Sequence, residues 1–206
     1  SDLVGALDRV RDVAHDAVED RERRVVERRL AERLDRDFYD SDVEIEKAAG
    51  LSVSDIFALH GETEFRRGEQ RVLARLLDQP PHVLATGGGA YLNDETRALM
   101  REKAVTVWLN ADLETLWRRV QRRDTRPLLQ RDDAKNVLTN LLAEREPIYS
   151  QADLVVRSKD GPHTNTVNAI YKALQTWKPI SVASRLAMAE KRVLSGAFAV
   201  TLAAAR

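Results

Sequence analysis

A chain of 206 residues is the size of one ordinary domain and is long enough to bury a core. Acids and bases balance at 33 each, so no global field draws the protein to nucleic acid or to an anionic membrane. The absence of cysteine excludes disulfides, thiolate metal sites and a cysteine nucleophile. The four histidines (His15, His60, His82 and His163) lack the spacing of a metal site. Ser1-Asp2-Leu3 carries no signal pattern, and the longest apolar-rich stretch, Ala197 to Ala205, is too short to span a bilayer. The expectation is a cytoplasmic protein.

Residues 8–36 place Val10, Ala14, Ala17, Val18, Val25, Leu30 and Leu34 roughly on one helical face, with Asp20–Arg24 and similar pairs on the other. The spacing predicts a helix there. Asp37 to Asp42 reads as a short strand ending in acids, and Val43 to Ala49 as a helix closed by Gly50. Ser52 or Ser54 can cap a helix through Phe57, and Glu62 to Leu77 is a longer amphipathic helix. His82 to Ala85 is a short apolar strand that opens into Gly87-Gly88-Gly89. Asp94 can cap a helix from Glu95 to Glu102. Ala104 to Leu109 is a near-continuous apolar run, as expected of a strand buried on both faces. Helices follow at Asp112 to Arg123 and at Ala134 to Glu146, the second stopped by Pro147. A strand at Ala152 to Val156, a helix at Asn165 to Trp177 and an alanine-rich helical tail from 178 to 206 complete the pattern. Strands alternating with helices predict a parallel sheet covered on both faces, with ligands at the carboxyl ends of the strands.

Several residues at those ends can carry chemistry. Asp40 and Asp42 could serve a magnesium shell and a hydroxyl, or could simply cap the next helix. Arg66, beside Phe65, could clamp a carboxylate or could pair on the helix surface with Glu62 or Glu69. The three glycines allow close approach of a ligand to the backbone or a tight turn. Arg122, Arg123 and Arg126 could close over phosphates or be a solvated helix end. Arg145, at a helix terminus, is a further candidate for an anion.

In order and spacing, Asp40-Ser41-Asp42, Phe65-Arg66-Arg67-Gly68-Glu69, Gly87-Gly88-Gly89, Arg126-Pro127-Leu128-Leu129 and Arg145-Glu146-Pro147-Ile148-Tyr149 together resemble the shikimate kinases. Arg28 to Leu34 also looks like the helix that follows that family's nucleotide loop. The resemblance implies an α/β fold of the P-loop kinase type, a parallel sheet between two helical layers (α/β/α). It implies ATP-dependent phosphorylation of the shikimate 3-hydroxyl, with Mg2+. Asp42 would orient that hydroxyl as the catalytic residue and bind the ring with Arg66, Gly87, Gly88, Gly89 and Arg145. Glu69 would support Arg66. Arg126 and Arg119 would meet ATP, and Asp40 would sit near the metal.

Counting back from Leu30, the family's G-x-x-x-x-G-K-[ST] loop would occupy roughly residues 17–24, with its first strand before it at 10–16. This chain has Ala17-Val18-Glu19-Asp20-Arg21-Glu22-Arg23-Arg24 there, and residues 1–46 contain one glycine, Gly5, and no lysine. The chain thus divides into an atypical charged segment (1–27), a shikimate-kinase-like part (28–177) and a C-terminal extension (178–206) that could pack in place of the first strand. The expectation is that shikimate binds and ATP binds poorly. A non-catalytic shikimate-binding or self-association module is the alternative, and a gluconate-type kinase a further one. The partner expected in either leading case is shikimate, with no nucleic acid and no membrane.

Overall fold

The computed structural model describes residues 19–121, 134–177 and 198–200. Helix α1 (Glu19–Leu34) passes through the expected boundary at residue 27 without a break. Strand β1 (Asp37–Asp40) is two residues shorter than predicted, because Asp40 ends it by capping helix α2 (Ser41–Ala49). Its side chain accepts from the backbone N–H groups of Asp42 and Val43, at 3.0 and 3.3 Å. Asp42 therefore lies in the first turn of α2 rather than on the strand. Gly50 closes α2 at φ +68°, as expected of a glycine C-terminus.

Ser52 caps α3 (Val53–Leu77), which runs through both helices expected there and bends where Gly61 takes φ 76° and ψ 173°. Strand β2 (His82–Ala85) follows. The glycines then begin a short helix, α4 (Gly88–Leu92), rather than an open turn. Helix α5 (Asp94–Lys103) is capped by Asn93, whose side-chain oxygen accepts from the Thr96 N–H at 2.9 Å, and not by the expected Asp94. After β3 (Val107–Asn110) come α6 (Leu113–Gln121) and α7 (Ala134–Tyr149). Pro147 lies inside the last turn of α7 instead of stopping it. The missing N–H frees only one carbonyl, and Ser150 N–H still reaches Glu146 C=O at 2.9 Å. Strand β4 (Leu154–Arg157) and helix α8 (His163–Thr176) follow. No described helix is long and apolar enough to cross a membrane.

Every described strand pair is parallel. β1 aligns with β2 from Asp37–His82 to Asp40–Ala85, and β3 with β4 from Val107–Leu154 to Asn110–Arg157. The other edge of β2 carries β5 (Phe198–Val200), in register from Val83–Phe198 to Ala85–Val200. β5 also lies close to β3, so it stands between the two ladders. These three residues were expected to be helical. A short apolar run in a sheet slot adopts strand backbone, because pairing overrides alanine's weak local preference.

Side chains alternate across this sheet. Val83, Val107 and Leu109 pack with Val26, Leu30 and Ala31 of α1 and Val167 and Ile170 of α8. Leu84 and Trp108 face the other way, against Phe65, Leu73, Met100 and Tyr149. Two helical layers thus cover the two parallel ladders, and full burial of each large apolar side chain contributes about 1.5–3 kcal/mol. The surface carries a cleft of about 650 Å3 at the elbow of α2 and α3, with Ile45, Ala49, Ile56 and Gly68 in its wall.

Two measurements test this packing. A Cβ on Gly68 would meet nothing within 4 Å, so Gly68→Ala is expected to stabilise by about 0.5–1 kcal/mol in urea unfolding. His82 is buried and sits edge-on to Tyr39, its Nδ1 2.8 Å from Pro80 C=O. Burial holds its pKa below the usual histidine value, against a weaker upward pull from Pro80 and Asp37. The unfolded chain therefore takes up the proton first, and stability falls as pH drops below about 6.5. His82→Gln is expected to flatten the fall in melting temperature between roughly pH 6.5 and 5.

Candidate functional site

The β1–β2 register sets Asp40 level with Ala85, two residues ahead of Gly87. The acidic end of one strand and the glycine end of its neighbour therefore meet at one edge of the sheet. Asp40 is 7% exposed. The Nε of Arg24 stands 2.7 Å from its second oxygen, close but not aligned for a hydrogen bond. Asp42 is half-buried in the first turn of α2.

Arg66 pairs on its own helix with both of the acids expected for it. Its Nη1 donates to Glu69 at 2.8 Å, Nε lies 3.5 Å from Glu62, and the guanidinium lies 5.1 Å from the centre of the Phe65 ring. Glu69, 2% exposed, locks the fork from beneath. Burial pulls the Arg66 pKa down, but the charges and hydrogen bonds of Glu69 and Glu62 outweigh it and the net direction is upward. The cation is thus fixed in place and in charge.

That fixed guanidinium rests on the glycine helix. A Cβ built on Gly89 would lie 2.6 Å from Nη2 and 2.9 Å from Nη1 of Arg66. The third glycine is therefore required by a close approach, and the molecule making that approach is the protein's own arginine. Gly87, Gly88 and Gly89 are all buried. Tyr149 donates its hydroxyl to Gly88 C=O at 3.3 Å, tying the end of α7 to the same backbone.

Arg145 lies one turn before Tyr149 on α7 and is 2% exposed. Its Nε and Nη1 are buried with no hydrogen-bond partner among the described residues. Buried guanidinium donors without an acceptor are costly. Arg119 is on α6, where it donates to Ser158 at 3.1 Å and lies 3.6 Å from Asp160. These contacts are at the far ladder, after β4, and do not join the Arg66–Gly89 group. Arg126, with Arg122 and Arg123, lies outside the described residues.

A model of the shikimate kinase family matches residues 24–175. The chain is 57% identical over 150 residues to a shikimate kinase of Caulobacter vibrioides, covering 73% of this chain and 75% of that one. Against a shikimate kinase of Bradyrhizobium diazoefficiens it is 53% identical over 148 residues, covering 72% of each. The chain belongs to the shikimate kinase family. Among solved structures it superimposes on the Acinetobacter baumannii shikimate kinase in complex with shikimate with a TM-score of 0.65. There the identity is 34%, and the match covers 76% of this chain and 88% of that one. The Aquifex aeolicus shikimate kinase gives 0.62, also at 34% identity, over 73% and 87%. The P-loop kinase-like α/β fold expected from the sequence is therefore the fold observed.

The residues that the family resemblance set against a metal do not form a cation shell here. One oxygen of Asp40 accepts from two backbone N–H groups and the other faces Arg24. Among the described residues no group of three His, Cys, Asp or Glu could hold an ion. At the expected nucleotide loop, residues 19–24 are the first turns of α1, so their backbone forms no glycine nest.

The Arg24–Asp40 contact was not legible in the sequence, where Arg24 was expected to pair along its own helix with Asp20. The partners are 16 positions apart and meet only because α1 crosses the end of β1. The contact of Arg66 with Gly89 was equally hidden, although both residues were singled out separately. It supplies a direct check. Gly89→Ala must displace the Arg66 fork by several tenths of an ångström, and is expected to change the melting temperature by only a few degrees in thermal unfolding.

Proposed function

We propose that this chain acts in ATP-dependent phosphorylation of shikimate at its 3-hydroxyl, and that its described part supplies the shikimate-holding side. The observation that carries this reading is the buried Arg145 guanidinium. A carboxylate accepts two parallel N–H bonds from such a fork and brings the compensating charge, which makes it the ligand group of best fit. Arg66, already held by Glu69, adds a second positive edge at the glycine helix. Asp42, on the first turn of α2, accepts from a ring hydroxyl and keeps its oxygen aimed for phosphoryl transfer. Gly87, Gly88 and Gly89 are the backbone proposed to lie against the ring, with Arg66 packed on Gly89. ATP supplies the phosphoryl group. Arg119 and Arg126 are the cations of this chain proposed to meet its phosphates or base.

The similarity to a structure holding shikimate supports this reading, as does the identity to curated shikimate kinases. Calorimetric titration with shikimate tests it. Wild type is expected to bind saturably, Arg145→Met to lose affinity at least tenfold, and Arg66→Lys to lose less because charge is kept while the fork is lost. Release of ADP that requires both shikimate and ATP tests the reaction itself. Equal shikimate affinity in wild type and Arg145→Met, with both folded, would remove the reading.

A further inference from the structure

We propose that Arg24 is the built-in counter-cation of Asp40, so that the buried carboxylate at the end of β1 is balanced by the protein itself and takes no divalent ion. Asp40 is nearly excluded from water, and a carboxylate in that position must be compensated. Both of its oxygens are engaged. The first accepts from Asp42 and Val43 N–H, which also fixes the start of α2. The second has the Arg24 guanidinium at 2.7 Å, where a metal would have to stand. Magnesium needs about six oxygens at about 2.0–2.1 Å in a near-octahedral shell. A positive charge beside the second oxygen opposes a doubly charged ion by repulsion and by volume.

The position of Arg24 is not an accident of a floating side chain. Its helix is anchored two residues later by Val26 and again by Leu30 and Ala31, all buried against β2, β3 and α8. The α1 axis is therefore set by the core, and the guanidinium is delivered to the end of β1 as part of the fold. Arg24 sits within the stretch where a phosphate-binding loop was expected, so the same residues that lack a lysine and a hydroxyl provide this cation instead. Arg24 is a positioning residue in this scheme. It holds Asp40, Asp40 holds the first turn of α2, and that turn carries Asp42.

The inference concerns the Asp40 side of the site and does not rest on shikimate being the ligand. Its failure is read from a metal titration, whereas failure of the proposed function is read from a shikimate titration. The experiment uses the full chain without nucleotide, with Mn2+ followed by its free-ion paramagnetic resonance signal and folding followed by thermal unfolding. Wild type is expected to bind Mn2+ no more tightly than millimolar, and Asp40→Asn is expected to leave that unchanged. Arg24→Gln and Asp40→Asn should each lower the melting temperature, with the double variant no lower than the worse single one, since both remove one interaction. Arg24→Lys should recover much of the loss. A Mn2+ site in wild type, at least tenfold tighter than millimolar and abolished by Asp40→Asn, would overturn the proposal. So would strictly additive melting shifts. If Arg24→Gln fails to fold, the wild type and Asp40→Asn comparison still decides whether a metal is held.

Discussion

The ladder between β1 and β2 is the constraint on which the rest depends. Parallel pairing fixes Asp40 beside Ala85, and a shift of one residue would turn every side chain of β1 to the opposite face. Tyr39 would leave the layer that it shares with Leu84, and the acids would no longer finish level with the glycines. Register is thus enforced by the two hydrophobic layers, and the polar site inherits its alignment from them. The functional edge is accurate because the core beneath it tolerates only one arrangement.

Charge is distributed unevenly over that edge. Arg66 is compensated by Glu69 and Glu62, and Asp40 by Arg24. Arg145 has buried donors without acceptors among the described residues. The compensated groups make a fixed frame, and Arg145 is the cation proposed to give it a chemical preference. A carboxylate arriving at Arg145 would meet a positive edge whose geometry is already set, so little ordering is left to oppose binding. The glycine helix adds to this economy: packing Arg66 directly on backbone removes the conformational freedom that a long side chain otherwise keeps.

Much of this was readable in the sequence, and the reason is locality. Strand and helix identities followed from periodicity. The Gly50 and Ser52 caps followed from short-range chemistry, since each bonds within four residues. The acids, the arginines and the glycines announced a site because their types are costly or unusual at strand ends. What stayed hidden is of another kind. The cation facing Asp40 is Arg24, 16 positions earlier on another element. The side chain packed on Gly89 is Arg66, 23 positions earlier. Pro147 was a misreading of degree, because a proline two residues from the helix end removes one bond without breaking the turns before it.

The strand Phe198–Val200 sharpens the same contrast on the scale of the whole chain. It pairs with β2, more than a hundred residues earlier in sequence, and stands beside β3 as well. No local preference could have placed it there. The slot, however, is one that the fold must fill, because an unpaired β2 edge between two helical layers would bury N–H and C=O groups without partners. Satisfying it with the last described residues ties the two ladders together through the end of the chain. Contacts of such long sequence separation form late and slowly. The ladder that holds Asp40 against the glycines joins residues 37–89, whereas its closure on the other side needs residues 198–200. The edge proposed to hold shikimate is therefore built from the more local half of the sheet, and the sheet's continuity from the less local half.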